Sequence, residues 1–206
     1  EDRFDKHSVV YAMAPGGVPV AWEFATTLEL PWDLLFVNEI VLSDRENAIV
    51  GAIAESDSVV WDRPLIAMLG ISPRRLQVLE NNEKSILDKQ MESWRSEKLP
   101  LSIKGHTVVL AADCISSSLP VKAAVKTLSK WSPSKIVVAT PVISENALEE
   151  LTRSNLEVIP LRTVRVPILP EQCFEDPNKL TKDEIQTFVS GRPSHDPIDL
   201  DRKLAT

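Results

Sequence analysis

Short apolar runs alternate along this chain with longer segments whose apolar residues recur at helical spacing, and that alternation restricts the fold more than any other feature. The first unit shows the pattern. "SVVYAMA" (Ser8 to Ala14) has strand length, "PGG" supplies a turn, and "VPVAWEFATTLEL" carries Val20, Phe24 and Leu28 at intervals of four residues. "WDLLFV" (Trp32 to Val37) and "AIVGAIA" (Ala48 to Ala54) read as two further strands, separated by the polar loop "NEIVLSDREN". After "SVVW", a helix-like "PLIAMLG" leads to Ser72 and Pro73, suitable N-cap and N1 residues. A long polar helix follows, expected to reach about Lys98, with Leu76, Leu79, Leu87, Met91 and Trp94 as its apolar stripe.

The stretch "HTVVLAADCISSSLPVKAAVKTLSKW" (His106 to Trp131) repeats the unit: a strand, a short loop of one acid and three serines, and a helix with Val121, Ala124, Val125 and Leu128 facing inward. "KIVVATPV" is the next strand, Ser144 caps the helix "ENALEELTR", and "LEVIPLR" is a last short strand. Strands alternating with helices predict an α/β fold built on a mainly parallel central sheet with helices on both faces. From Val166 onward proline and charge rise and periodicity weakens, except where Thr181 and Glu184 form a capping box before "IQTFVSG". We therefore expect a core domain over 1–165 and a small irregular hood or tail over 166–206, mobile apart from one short helix.

Composition narrows the function classes. A formal net charge of −7 argues against sequence-independent binding to nucleic acid, which needs a basic surface to displace counterions. No apolar run approaches the roughly 18 to 20 residues that span a bilayer, and "EDRFDKHSVV" lacks the apolar centre of a signal peptide. The expectation is a cytoplasmic protein, or one of an organelle stroma if a targeting segment has been removed. Cys114 and Cys173 are too few for a disulfide framework or a thiolate zinc site, and His7, His106 and His195 are scattered, so no structural metal is expected. Small molecules and proteins are the favoured partners. The long amphipathic helix adds the expectation of a contact with a second copy or another protein.

In an open parallel sheet, ligands bind beyond the carboxyl ends of the strands, and three loops qualify: Ala14 to Gly17, Asn38 to Asn47, and Ala112 to Ser118. For Asp113 and Ser116 to Ser118 two readings stand open, a helix entry with a capping acid and an anion site on a helix N-terminus. Cys114 reads either as a reactive thiol or as a small residue packed under the loop. A serine hydrolase is disfavoured, because no G-x-S-x-G elbow is present and His106 stands at a strand start, toward the opposite end of the sheet.

With this order of elements, "VVYAMAPGGVPVAWEFA", "NAIVGAIAES", "LPLSIKGHTVVLAADCISSS" and "FEDPNKLTKDEI" resemble the type I phosphoribosyltransferase family, in its bacterial and cyanobacterial branch of predicted phosphoribosyltransferases. The resemblance runs from about Ser8 to Ile185 and implies the type I phosphoribosyltransferase fold. Active members bind phosphoribosyl pyrophosphate (PRPP) with a pattern close to V-D-D-G-I-A-T-G-A-T. Its two acids address the ribose hydroxyls and hydrated magnesium, and its loop holds the 5′-phosphate. Here the first acid is Ala112, the second is kept as Asp113, and Cys114, Ile115, Ser116, Ser117 and Ser118 form the loop, followed by Leu119 and Pro120.

The family's pyrophosphate loop, usually P-R-G-G, is Ala14, Pro15, Gly16, Gly17 in this sequence, and its R-K pair after the second strand is Asn38 and Glu39. A polyanion there would lack the cations that usually neutralise it. Ser118 also brings a Cβ to a position where the family's glycine suits φ > 0, and Pro120 deletes an amide. By resemblance, then, the chain is a phosphoribosyltransferase-fold protein with a degenerate site, acting as a regulatory or assembly subunit with at most a weak phosphate or nucleotide site. The alternative is an active enzyme that transfers ribose 5-phosphate from PRPP with magnesium to a nitrogenous base, with Asp113 as the remaining ribose-contacting acid.

Overall fold

The computed structural model describes residues 4, 6–45, 47–95, 100–165 and 187. Its elements run β1 (Ser8–Ala14), α1 (Val18–Leu28), β2 (Trp32–Leu42), β3 (Ala48–Ala54), β4 (Ser58–Trp61), α2 (Arg63–Met68), α3 (Pro73–Arg95), β5 (Thr107–Ala111), β6 (Cys114–Ile115), α4 (Ser118–Ser129), β7 (Lys135–Ser144), α5 (Glu145–Arg153) and β8 (Glu157–Val164). Apart from Thr187, the expected hood, with its capping box at Thr181 and Glu184, lies outside the described residues, as do Cys173 and His195.

β1 is the middle of the sheet, parallel to β2 on one side and to β5 on the other. β5 pairs in parallel with β7, and β7 with β8 at the far edge. The short β6 continues the β5 side of β7, its Cys114 and Ile115 opposite Val142 and Ile143. Parallel strands buried on both faces should read as continuous apolar runs, and β1 does, because its alternate residues serve two cores. Val10, Ala12 and Ala14 face α1 and α3, packing with Val18, Ala21, Ala25 and Leu87. Val9 and Tyr11 face α4 and α5, with Val121, Ala124, Leu128, Ala147 and Leu151. Each Val or Leu side chain so withdrawn from water contributes about 1.5 to 3 kcal/mol, and each Ala correspondingly less, before chain entropy is counted. The expected helix-covered parallel sheet is therefore what the chain forms.

β2 departs from expectation. Its first half, Trp32 to Phe36, lies in the parallel sheet, whereas Val37 to Leu42 pairs antiparallel with β3, and β4 completes that arm. Asn38 and Glu39 stand opposite Ile53 and Ala52, so the polar loop expected from Asn38 to Asn47 is strand as far as Leu42. The register shifts between Ile40 and Val41 because β3 carries the extra residue, Val50, while β2 keeps its alternation; the polar pair Asn38 and Glu39 is what disguised the strand in the sequence. At the partner exchange the buried Glu55 accepts the Phe36 amide at Oε1, 2.8 Å away. The stripe of α3 is used internally: Leu76, Leu79, Met91 and Trp94 all pack on the core shared with α1. Tyr11 and Asp33, opposite each other on β1 and β2, both hold Leu101, whose carbonyl accepts from the Tyr11 hydroxyl and whose amide donates to Asp33 Oδ2, each at 2.9 Å.

Candidate functional site at the carboxyl edge of the sheet

The turn after β1 and the loop after β5 leave adjacent parallel strands at the same end, so topology alone brings Ala14 to Gly17 beside Ala112 to Ser118. Packing then locks them together. A Cβ on Gly16 would collide with Asp113 Oδ2 and stand 2.7 Å from its Cγ. Gly17 is enclosed by backbone instead: a Cβ there would collide with the Ala111 carbonyl oxygen and lie 2.9 Å from that of Met13. Neither glycine has a positive φ, so close approach is what requires them. The Gly17 amide donates to the Met13 carbonyl at 2.8 Å, which folds the turn tightly back on β1 before α1 begins.

On the other side of the crevice, Ala112 is almost fully buried and belongs to the apolar cluster of Leu110, Ile115 and Val121. The position of the family's first acid thus faces hydrocarbon. Asp113 and Cys114 are half-buried, and Cys114 together with Ile115 is strand rather than free loop. Ser116 is held by its carbonyl, which accepts from the Ser144 hydroxyl at 3.0 Å. Ser117 is the N-cap of α4, its hydroxyl accepting from the Leu119 amide at 3.3 Å. Ser118 is the first helical residue, so its Cβ meets no left-handed backbone. Its side chain is buried, and its hydroxyl donates to Glu150 on α5.

Glu150 also accepts from Lys122 Nζ at 2.9 Å, and the Ser118 hydroxyl followed by the Lys122 ammonium holds its carboxyl below the usual range. Sequence reasoning missed both Glu150 and Lys122. The Ser118–Glu150 bond joins residues 32 positions apart, on helices that only the fold brings together, and no local pattern announces it.

Beyond the crevice, β2 carries Asn38 and Glu39, the two positions that the resemblance matches to an R-K pair. Burial pushes the Glu39 carboxyl up from its ordinary value. The Glu83 carboxyl of α3 is also pushed up by burial, opposed by its hydrogen bond with Asn38. Period-two alternation puts Asn38 on the α3 face of β2 and Glu39 on the α4 face, so an acid approaches from each side. His106 does lie at the other end: it precedes β5, its ring 6.4 Å from that of His7. A cleft lined by Ser132, Ser134, Lys135 and Glu157 opens at that end too and includes none of the expected site residues. Among the described residues there is no group of three or more metal-ligating side chains, and no helix is long and apolar enough to cross a membrane.

No protein-family model matches the chain. It is 24% identical over 184 residues to proteins from two strains of Mycobacterium tuberculosis, each named "Putative phosphoribosyl transferase", and the alignment covers 89% of this chain. The chain spans 42% of the length of those relatives. A crystal structure of the protein TT1426 from Thermus thermophilus superposes with a TM-score of 0.75 at 23% identity, covering 93% of this chain and 90% of that one. That likeness fixes the fold over nearly the whole chain.

Proposed function

We propose that this chain, of the phosphoribosyltransferase type by its curated relatives and its fold, has lost the grip on PRPP that catalysis needs. It acts instead as a regulatory or assembly component with a weak site for a phosphate or nucleotide. One observation carries the reading: where a polyanion would need an arginine and a lysine, β2 presents Asn38, already hydrogen-bonded to Glu83, and Glu39. A charge-assisted hydrogen bond is worth roughly 1.5 to 3 kcal/mol, so several missing ones weaken binding by orders of magnitude. The apolar seat of Ala112 supports the same conclusion, since an acid there would be buried without a partner. Asp113 would be the remaining ribose-contacting acid of an active enzyme, with magnesium arriving on PRPP.

The second reading, an active phosphoribosyltransferase, is favoured by the contact of Asp113 with Gly16, which keeps the retained acid against the retained glycine turn. Calorimetric titration with PRPP and magnesium separates the two, followed by an assay of pyrophosphate release with common purine and pyrimidine bases. The degenerate reading expects no release. Turnover abolished by Asp113→Asn would establish the active one. Assembly with a second copy belongs to the first reading, and sedimentation across a concentration series tests it.

A further inference from the structure

Ser118 and Lys122 stand one helical turn apart at the start of α4, and both donate to a single oxygen, Glu150 Oε2. Resting on the weak anion site above, we propose that Glu150 is a resident competitor at that site. A phosphate monoester binds by displacing the Glu150 carboxylate from Ser118 and Lys122, and Lys122 becomes a ligand contact.

Three observations support the exchange. The donor pair suits a phosphate oxygen as well as a carboxylate one, since a hydroxyl and an ammonium converging on one point is a charge-assisted acceptor site. The first turn of α4 contains no acid, so the negative charge favoured at a helix N-terminus is supplied from a different helix, α5, by Glu150. Glu150 is also 50% exposed whereas Ser118 is 3% exposed. The carboxylate therefore returns to water when it leaves, beside Arg153 of its own helix, while the Ser118 hydroxyl keeps its buried place on α4.

The exchange leaves the Ser144 bond to the Ser116 carbonyl untouched, so the backbone of the loop is already set before a ligand arrives. Affinity is then governed by competition for Ser118 and Lys122 more than by loop ordering.

The test is a titration with inorganic phosphate followed through amide chemical shifts at Ser116 to Leu119, in the full chain, in Glu150→Gln, and in Glu150→Gln combined with Lys122→Gln. Glu150→Gln is expected to lower the half-saturating phosphate concentration by about ten-fold, the scale of one charge-assisted contact, and the double variant to lose that gain. Equal half-saturation in wild type and Glu150→Gln overturns the competitor while leaving the weak site standing. A gain that survives Lys122→Gln overturns the role of Lys122. No saturable shift in any of the three at tens of millimolar overturns the site and its competitor together. If Glu150→Gln loses its dispersed amide spectrum, Glu150→Asp, which withdraws the carboxylate from Ser118, is expected to show a gain of the same sign, and its absence overturns the proposal.

Discussion

The carboxylate of Asp113 rests on Gly16 so closely that a methyl group there would stand 2.7 Å from its Cγ. Two loops more than ninety residues apart in sequence are thereby fixed against each other at the same edge of the sheet.

The two glycines of that turn should answer differently to alanine. At Gly16 the obstacle is a side chain that can rotate, whereas at Gly17 it is the carbonyls of Ala111 and Met13, held in β5 and β1. Gly17→Ala is expected to lose about 1 to 3 kcal/mol of stability by denaturant unfolding, and Gly16→Ala less. Combining Gly16→Ala with Asp113→Ala should recover most of the Gly16→Ala loss, a coupling that a double-mutant cycle measures.

Glu55 holds β2 at the point where that strand exchanges its parallel partner for an antiparallel one. Removing its carboxylate takes a charged acceptor away from the buried Phe36 amide. Glu55→Ala is expected to destabilise by about 1.5 to 3 kcal/mol in chemical denaturation, and Glu55→Gln, which keeps an acceptor, by clearly less.

Stability should carry a pH signature from Glu39. Burial raises its folded pKa above the ordinary 4.5, so the folded state keeps the proton to higher pH than the unfolded chain does. The contribution of this group to stability therefore falls as pH rises through the window above 4.5. Glu39→Gln is expected to be more stable than wild type at neutral pH, with the gap closing below 4.5, as thermal melts across pH would read.

Restoring a cation at Asn38 alone should achieve little, because Glu83 stands ready to neutralise it. Asn38→Arg combined with Glu83→Gln is expected to bind pyrophosphate at least ten-fold more tightly than Asn38→Arg alone, on the scale of one charge-assisted contact, as calorimetry would show.

Most of the parallel sheet was legible because each strand is a run of apolar residues closed by a turn and a capped helix. Ser144 is the clearest case, with its hydroxyl accepting the Ala147 amide at 3.1 Å. The antiparallel arm was partly hidden: Asn38 and Glu39 are polar and only half-buried although the strand returns to the core at Ile40 and Leu42, and polarity in a strand imitates a loop. The arrangement of the crevice was legible where it depends on chain order, as for the nearness of Gly16 to Asp113. It was illegible where it depends on distant partners, as for Glu83 on Asn38 and Glu150 on Ser118.

The central place of β1 also sets a timetable. Its Ser8 pairs with Thr107, 99 positions later, so β1 lacks one of its two neighbours until that much more of the chain has been made. At a synthesis rate of about 5 to 20 residues per second, that interval is roughly 5 to 20 seconds. Throughout it, one edge of β1 and the apolar face meant for α4 stay uncovered. Nascent chains that stop short of β5 should accordingly be protease-sensitive and engage chaperones, with protection appearing only once β5 can reach its place beside β1.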